Sequence, residues 1–64
     1  MKTFIITKVE KYGESTIHVF IVKNKPKAKK YLTFHIAGYG NGIFNLYKPN
    51  KNNKLNLIDT IKQG

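Results

Sequence analysis

The chain has 64 residues and a formal net charge of +9, and all 12 of its basic residues are lysine. It has three acidic residues and no cysteine, and the absence of cysteine excludes disulfides, thiolate metal sites and a cysteine nucleophile. The length predicts a single domain over residues 1–64. So short a chain buries only about 60% of its unfolded surface, which leaves its stability marginal.

The charge balance predicts an anionic partner. A chain of this charge attracts polyanions, and nucleic acid is the commonest partner, ahead of an acidic protein or an anionic membrane. Lysine binds phosphate as a point charge, whereas arginine reads guanine through two hydrogen bonds. The composition therefore indicates binding with little sequence readout. A/T-rich coding accounts equally well for lysine in place of arginine, but it does not explain why the lysines cluster.

Five short strands are predicted, because β-branched and aromatic residues recur in short, often alternating runs. In chain order, these strands span residues 3–9, 16–22, 31–37, 43–47 and 55–61. The predicted connections are a turn around Gly13, a cationic loop over residues 23–31, a glycine-rich hairpin over residues 38–42 and a second basic loop over residues 48–54. Pro26 marks the first basic loop as a connection, since proline cannot donate to a strand ladder.

The register of the glycine-rich hairpin follows from burial. A one-residue slip would exchange the two faces of a strand. The register that keeps apolar residues together places Phe44 and Leu46 in the core beside Phe34 and leaves Asn45 outside it. We therefore predict a three-residue or five-residue hairpin loop, both of which have this parity.

The predicted fold is mainly β. The last segment, residues 55–61, also fits a short helix capped by Asn53, but its length and β-branched content favour a strand. The first two strands are apolar on both faces, so barrel closure, a helix or a second subunit must cover the second face. We predict a small five-stranded antiparallel barrel or strongly curled sheet of OB or SH3-like size. The alternative is a four-stranded sheet with a short C-terminal helix.

The candidate site is formed by the two basic loops. Alternating antiparallel strands bring both loops to one end of the fold, where lysines bind phosphates and tyrosines stack on bases at about 1–3 kcal/mol each. The predicted nucleic-acid-binding residues are Lys23, Lys25, Lys27, Lys29, Lys30, Tyr31, Tyr39, Tyr47, Lys48, Lys51 and Lys54. Tyrosines that flank strands are also ordinary β-formers, and lysine-rich loops also serve solubility.

In size, charge and predicted strand count, the chain resembles small basic β-proteins that coat nucleic acid. These are the short OB-type single-strand binders and the lysine-rich, SH3-like chromatin proteins of archaea. The resemblance implies nucleic-acid binding and carries over no individual residues. Three dispersed acids and a single serine indicate no catalytic centre, so we expect no enzyme, no cofactor and no metal.

The expected function is largely sequence-independent nucleic-acid binding, with single strands preferred over duplex. The alternative is a small phage- or plasmid-encoded effector that inhibits a host protein by binding its acidic surface. Neither a targeting segment nor a membrane span is visible, so a cytoplasmic location and no membrane partner are expected. The apolar second face of the first two strands also makes a homodimer plausible.

Overall fold

A computed structural model describes all 64 residues and contains one antiparallel sheet and one central helix. The elements are β1 (Lys2–Glu10), β2 (Gly13–Val22), α1 (Lys25–Ile36), a short 3₁₀ turn (Ala37–Tyr39), β3 (Gly42–Pro49) and β4 (Leu55–Gln63). The strand order is β2-β1-β3-β4, and every neighbouring pair is antiparallel. Helix α1 connects the two strands that flank β1, so it crosses one face of the sheet.

Helix α1 begins at a well-formed N-cap. The side chain of Asn24 accepts a hydrogen bond of 3.0 Å from the backbone N–H of Lys27, which satisfies one of the unpaired donors of the first turn. Pro26 lies in that first turn, where its missing N–H costs nothing. Ala28, Leu32 and Ile36 follow at intervals of four residues and are all buried, so one face of α1 packs on the sheet.

The five-stranded barrel predicted from sequence is wrong, and so are the cationic loop at 23–31 and the strand at 31–37. Both segments belong mostly to α1. Leu32 and Ile36 fit a period of two as well as a spacing of four, and packing of α1 on the sheet selects the helix. The four-stranded alternative agrees better, although the helix is central and not C-terminal. The predicted hairpin at 38–42 is instead the connection from α1 to β3, whereas the strand predicted at 55–61 is confirmed as β4.

The hydrophobic core lies between α1 and the sheet face that it covers. The buried apolar residues are Phe4, Ile6, Phe20, Ala28, Leu32, Ile36, Phe44 and Leu46. The predicted burial of Phe44 and Leu46 is confirmed, and Asn45 lies outside this core. The predicted neighbour, Phe34, is instead 84% exposed, because it lies on the outer side of α1.

A β-bulge in each edge strand adds an apolar side chain to the edge of the core. Ile17 in β2 and Ile58 in β4 have no partner in the strand register, which shifts by one residue at each position. Such an extra residue re-aims side chains locally. Both isoleucines are partly buried and pack against the core, so the bulges recruit apolar side chains to the face that α1 covers.

The other face of the sheet is uncovered, and we call it the open face. Val19, Ile5, Tyr47 and Leu57 are in register across all four strands on this face. Val19 and Leu57 are 55% and 57% exposed. The helix therefore covers only one of the two apolar faces seen in the sequence. Separately, no helix in the chain has the length and apolar character needed to cross a membrane.

Candidate nucleic-acid interface

Lysines are concentrated at the start of α1. Lys25, Lys27, Lys29 and Lys30 occupy four of its first six positions, and the first turn holds no acidic residue. The N-terminus of a helix carries a partial positive charge, so each cation there costs about 0.3–1 kcal/mol. The like-charged pair Lys25 and Lys29, four residues apart, adds a further small cost. The charges of Lys25 and Lys27 therefore oppose helix formation in the first turn.

The two basic segments lie at one end of the sheet, which we call the basic end. Lys2 pairs with Val22 just before α1 starts, and Pro49 pairs with Leu55 around the β3–β4 turn. The lysines at the basic end are Lys2, Lys23, Lys25, Lys48, Lys51 and Lys54. Lys2 and Lys48 line one shallow concavity of about 400 Å³. The structure thus brings the two basic segments of the sequence together.

The β3–β4 turn is an ordered platform for its lysines. The side-chain oxygen of Asn50 accepts hydrogen bonds from the backbone N–H groups of Asn52, at 2.9 Å, and Lys54, at 3.0 Å. Asn53 has a φ of 61°, a left-handed conformation that asparagine tolerates better than most residues. Lys51 and Lys54 are exposed on this turn, so their side chains are available to a partner.

An exposed aromatic ring accompanies the lysines of α1. Phe34 follows Lys30 by four residues and Lys27 by seven, so the three share one flank of the helix. Together with Tyr31 they line a shallow concavity of about 430 Å³. Sequence reasoning missed Phe34 because it assigned the residue to a core strand. A helix read from the Asn24 cap would have placed it among the lysines.

The three predicted stacking tyrosines do not share one surface. Tyr31 is half-buried, with its ring 4.3 Å from that of Phe20, and its hydroxyl lies 2.9 Å from Nε2 of His18. Tyr39 is 43% exposed after the C-terminal end of α1, away from the basic end. Tyr47 lies on the open face. The lysines of the predicted site are therefore grouped, whereas its tyrosines are dispersed.

Tyr47 belongs to a hydrogen-bond network centred on Glu14. Tyr47 Oη donates to both carboxylate oxygens of Glu14, at 2.7 and 2.9 Å. Asn45 Nδ2 and Thr7 Oγ1 also donate to Oε1, at 2.9 and 2.6 Å, and Thr60 Oγ1 donates to Asn45 at 2.7 Å. Hydrogen bonds from Asn45, Thr7 and Tyr47 hold the pKa of Glu14 below its ordinary value. The network links all four strands and engages the Tyr47 hydroxyl.

Two histidines stack between α1 and β2. The rings of His18 and His35 are nearly parallel, with centroids 4.4 Å apart. Nε2 of His35 is buried without a hydrogen-bond partner. Burial, with a smaller contribution from His18, lowers the pKa of His35. The stack forms part of the contact between α1 and β2. No three His, Cys, Asp or Glu side chains converge to hold a metal ion.

The surface of the molecule is the main indication of its function. No family model, curated protein or solved structure matches the chain. The surface offers a lysine-rich helix with an exposed phenylalanine, a basic end continuous with it and a separate open face.

Proposed function

We propose that the protein binds nucleic acid, without catalysis and largely without sequence preference, through α1 and the basic end. The observation that carries this proposal is the grouping of lysines at the start of α1 and around the β3–β4 turn. These positions place like charges near one another and, at Lys25 and Lys27, at the positive end of the helix dipole. Phosphates would relieve that repulsion, and counterion release would drive the association.

The flank of α1 favours single strands over duplex. Phe34 is 84% exposed and lies in one concavity with Lys27 and Lys30. An exposed ring between cations allows an unpaired base to stack while the lysines bind adjacent phosphates. Bases in a duplex are already stacked on one another and offer no face to the ring.

Titration against single-stranded DNA, duplex DNA and RNA at about 50 and 200 mM salt tests the proposal. Neutralisation of about six phosphates gives a slope of log K against log salt near −5 on duplex and near −4 on a single strand. Binding that is absent at low salt or insensitive to salt would contradict the proposal.

Two triple variants test which surface binds nucleic acid. Changing Lys27, Lys29 and Lys30 to alanine should reduce the steepness of the single-strand slope by about 2, because each lost phosphate contact removes about 0.7. The matched control changes three lysines away from the basic end, with the same loss of three charges. Its positions are Lys8, Lys11 and Lys62. Equal effects of the two triples would mean that α1 is not the binding surface.

A second candidate function is inhibition of a host protein through an acidic surface. The observation that favours it is also Phe34, since an exposed aromatic anchor on a helix suits insertion into an apolar pocket surrounded by acids. A pull-down from nuclease-treated extract separates the two functions. A stoichiometric protein that is lost with Phe34→Ala would favour the effector, whereas loss of all captured material on nuclease treatment would favour nucleic acid.

A further inference from the structure

We propose that the open face is the interface of a homodimer in which two sheets pack face to face. The row formed by Val19, Ile5, Tyr47 and Leu57 crosses the whole sheet. Ile21, which is 61% exposed on the same face, extends the apolar area toward the basic end. Contiguous apolar area of this kind marks an interaction surface. This inference does not depend on the proposed nucleic-acid binding.

The charge distribution favours a second copy of the chain over an anionic partner at the open face. In a chain of net charge +9, the strand register places only two charged side chains on the open face, Glu14 and Lys62, and their charges cancel. A polyanion finds no group of cations there. Two copies of so basic a chain repel each other through every lysine-rich surface, so the open face is the surface through which they can approach.

The open face is large enough for a modest dimer interface. Four strands of 8 to 10 residues, at about 3.3 Å per residue and 4.8 Å between strands, cover about 570 Å², which is below the ~800 Å² per partner of a standard interface and in the range of weaker, reversible ones. Only nine of the 64 residues are buried within one chain. A chain of this length without disulfides gains stability from additional burial, and a second sheet at about 10 Å supplies it.

The two halves of the open face fix the symmetry of the dimer. Thr7, Asn45 and Thr60 of the Glu14 network form the next row toward the β1–β2 hairpin, whereas the apolar row lies toward the basic end, and Tyr47 of that row joins the two through its hydroxyl. A two-fold axis parallel to the strands places apolar row on apolar row and network on network. It also stacks β2 over β4 of the second copy, so that Val19 faces Leu57. An axis perpendicular to the strands would press the Glu14 network onto the apolar row and is disfavoured.

This geometry has an electrostatic consequence. Both copies of α1 lie on the outer faces of the sandwich, and both basic ends point the same way. The repulsion between these ends is screened by salt. The dimer should therefore strengthen as salt rises, which is the opposite of the behaviour expected for nucleic-acid binding.

Sedimentation equilibrium at about 0.05 and 0.5 M salt tests the dimer. A mass of twice 7.4 kDa is expected at the higher salt concentration. Val19→Glu and Leu57→Lys should each raise the dimer dissociation constant about 100-fold or more, because each buries two unpaired charges by symmetry. The double variant should restore the dimer, since each acid then faces a lysine of the other copy. Positions 19 and 57 lie about 14 Å apart within one sheet, too far for pairing inside a chain.

Phe34→Glu is the matched control, because it places an acid on an exposed apolar residue outside the open face, and it should leave the mass unchanged. Far-UV circular dichroism checks folding. If a charged variant unfolds, the milder pair Val19→Thr and Leu57→Thr should still weaken the dimer about 10-fold. A wild-type monomer at 1 mM protein in high salt would overturn the proposal. So would unchanged mass in the single variants, or a folded double variant that stays monomeric.

Discussion

Glu14 is the residue through which the open face is held together. Its carboxylate accepts hydrogen bonds from β1 and β3, and the chain of donors continues to β4 through Asn45. Residues that lie opposite each other on one face of an antiparallel sheet stabilise it through such cross-strand contacts. The network is the polar counterpart of the core on the covered face, and it uses one of only three acids in the chain.

Tyr47→Phe should lower the free energy of unfolding by about 1 kcal/mol, because it removes the hydroxyl that donates to both oxygens of Glu14. Urea unfolding at pH 7 and at one protein concentration measures the loss. Tyr12→Phe is the control, since Tyr12 is 91% exposed outside the network, and it should be neutral.

The loss of unfolding free energy caused by Tyr47→Phe should be smaller in acid. The pKa of Glu14 lies below its ordinary value of 4.5 in the folded state. Its contribution is therefore complete above 4.5 and disappears as the pH falls through the lower folded value. An equal loss for Tyr12→Phe, or a Tyr47→Phe loss that is the same at pH 7 and pH 2, would mean that the carboxylate contacts do not stabilise the sheet.

Burial was predictable from the sequence for residues in a true strand, because successive side chains of a strand point to opposite faces of the sheet. Phe44 and Leu46 are two residues apart in a true strand, so the argument from exchange of faces holds for them. Phe34 follows the same alternation in the sequence, but it belongs to a helix, where residues two apart lie on different sides. The residue that matters most to the candidate site was therefore assigned to the core.

At the scale of elements, α1 was the hard case. Its two strongest helix signals are Asn24 at the cap and Pro26 in the first turn, and the same two residues also favour a loop. The charges of Lys25 and Lys27 and the like-charged pair Lys25–Lys29 weaken its first turns, whereas the packing of Ala28, Leu32 and Ile36 on the sheet stabilises it. That packing depends on strands distant in sequence, which local patterns do not reveal.

The contact between α1 and β2 should be sensitive to pH. Burial lowers the pKa of His35, whose Nε2 has no hydrogen-bond partner. A folded pKa below the ordinary value of 6.5 means that the unfolded chain binds the proton more tightly. Stability is therefore complete above about pH 6.5 and falls as the pH drops through the lower folded value. The urea midpoint should decrease between pH 7.5 and pH 5.

His35→Phe should remove most of this decrease, because phenylalanine keeps the ring stacking and has no proton to bind. The experiment is repeated at about 0.5 M salt, which screens general charge repulsion but not burial. A pH dependence that survives in His35→Phe, or one that vanishes for the wild type in salt, would assign the effect to the net charge of the chain.

For the whole molecule, the structure separates charge by face as well as by end. The sequence indicated that the two basic segments share an end, and this is correct because α1 runs back across the sheet between β2 and β3, in place of the strand predicted at 31–37. The neutral open face depends on the register and on the bulges at Ile17 and Ile58. Neither is readable from local patterns, so the separation of Tyr47 from the lysines was beyond prediction.

The placement of Lys25 in the first turn of α1 opposes helix formation, and under the proposed function it favours nucleic-acid binding. Lys25→Glu should therefore stabilise the chain by about 1 kcal/mol, through the helix dipole and a pair with Lys29 four residues on. The same change should weaken single-strand binding and reduce the steepness of its salt slope by about 0.7. Urea unfolding and titration of the same preparation measure both effects.

Lys11→Glu is the matched control for this trade-off. It changes the net charge by the same amount, but it lies in the exposed β1–β2 turn, away from the helix dipole, from the basic end and from the open face. Its stability should stay within about 0.5 kcal/mol of the wild type, and its salt slope should be unchanged. Destabilisation by Lys25→Glu would contradict the helix-dipole argument. If both variants stabilise the chain and weaken binding equally, then net charge alone governs both properties. The arrangement of lysines on α1 would then have no role in either.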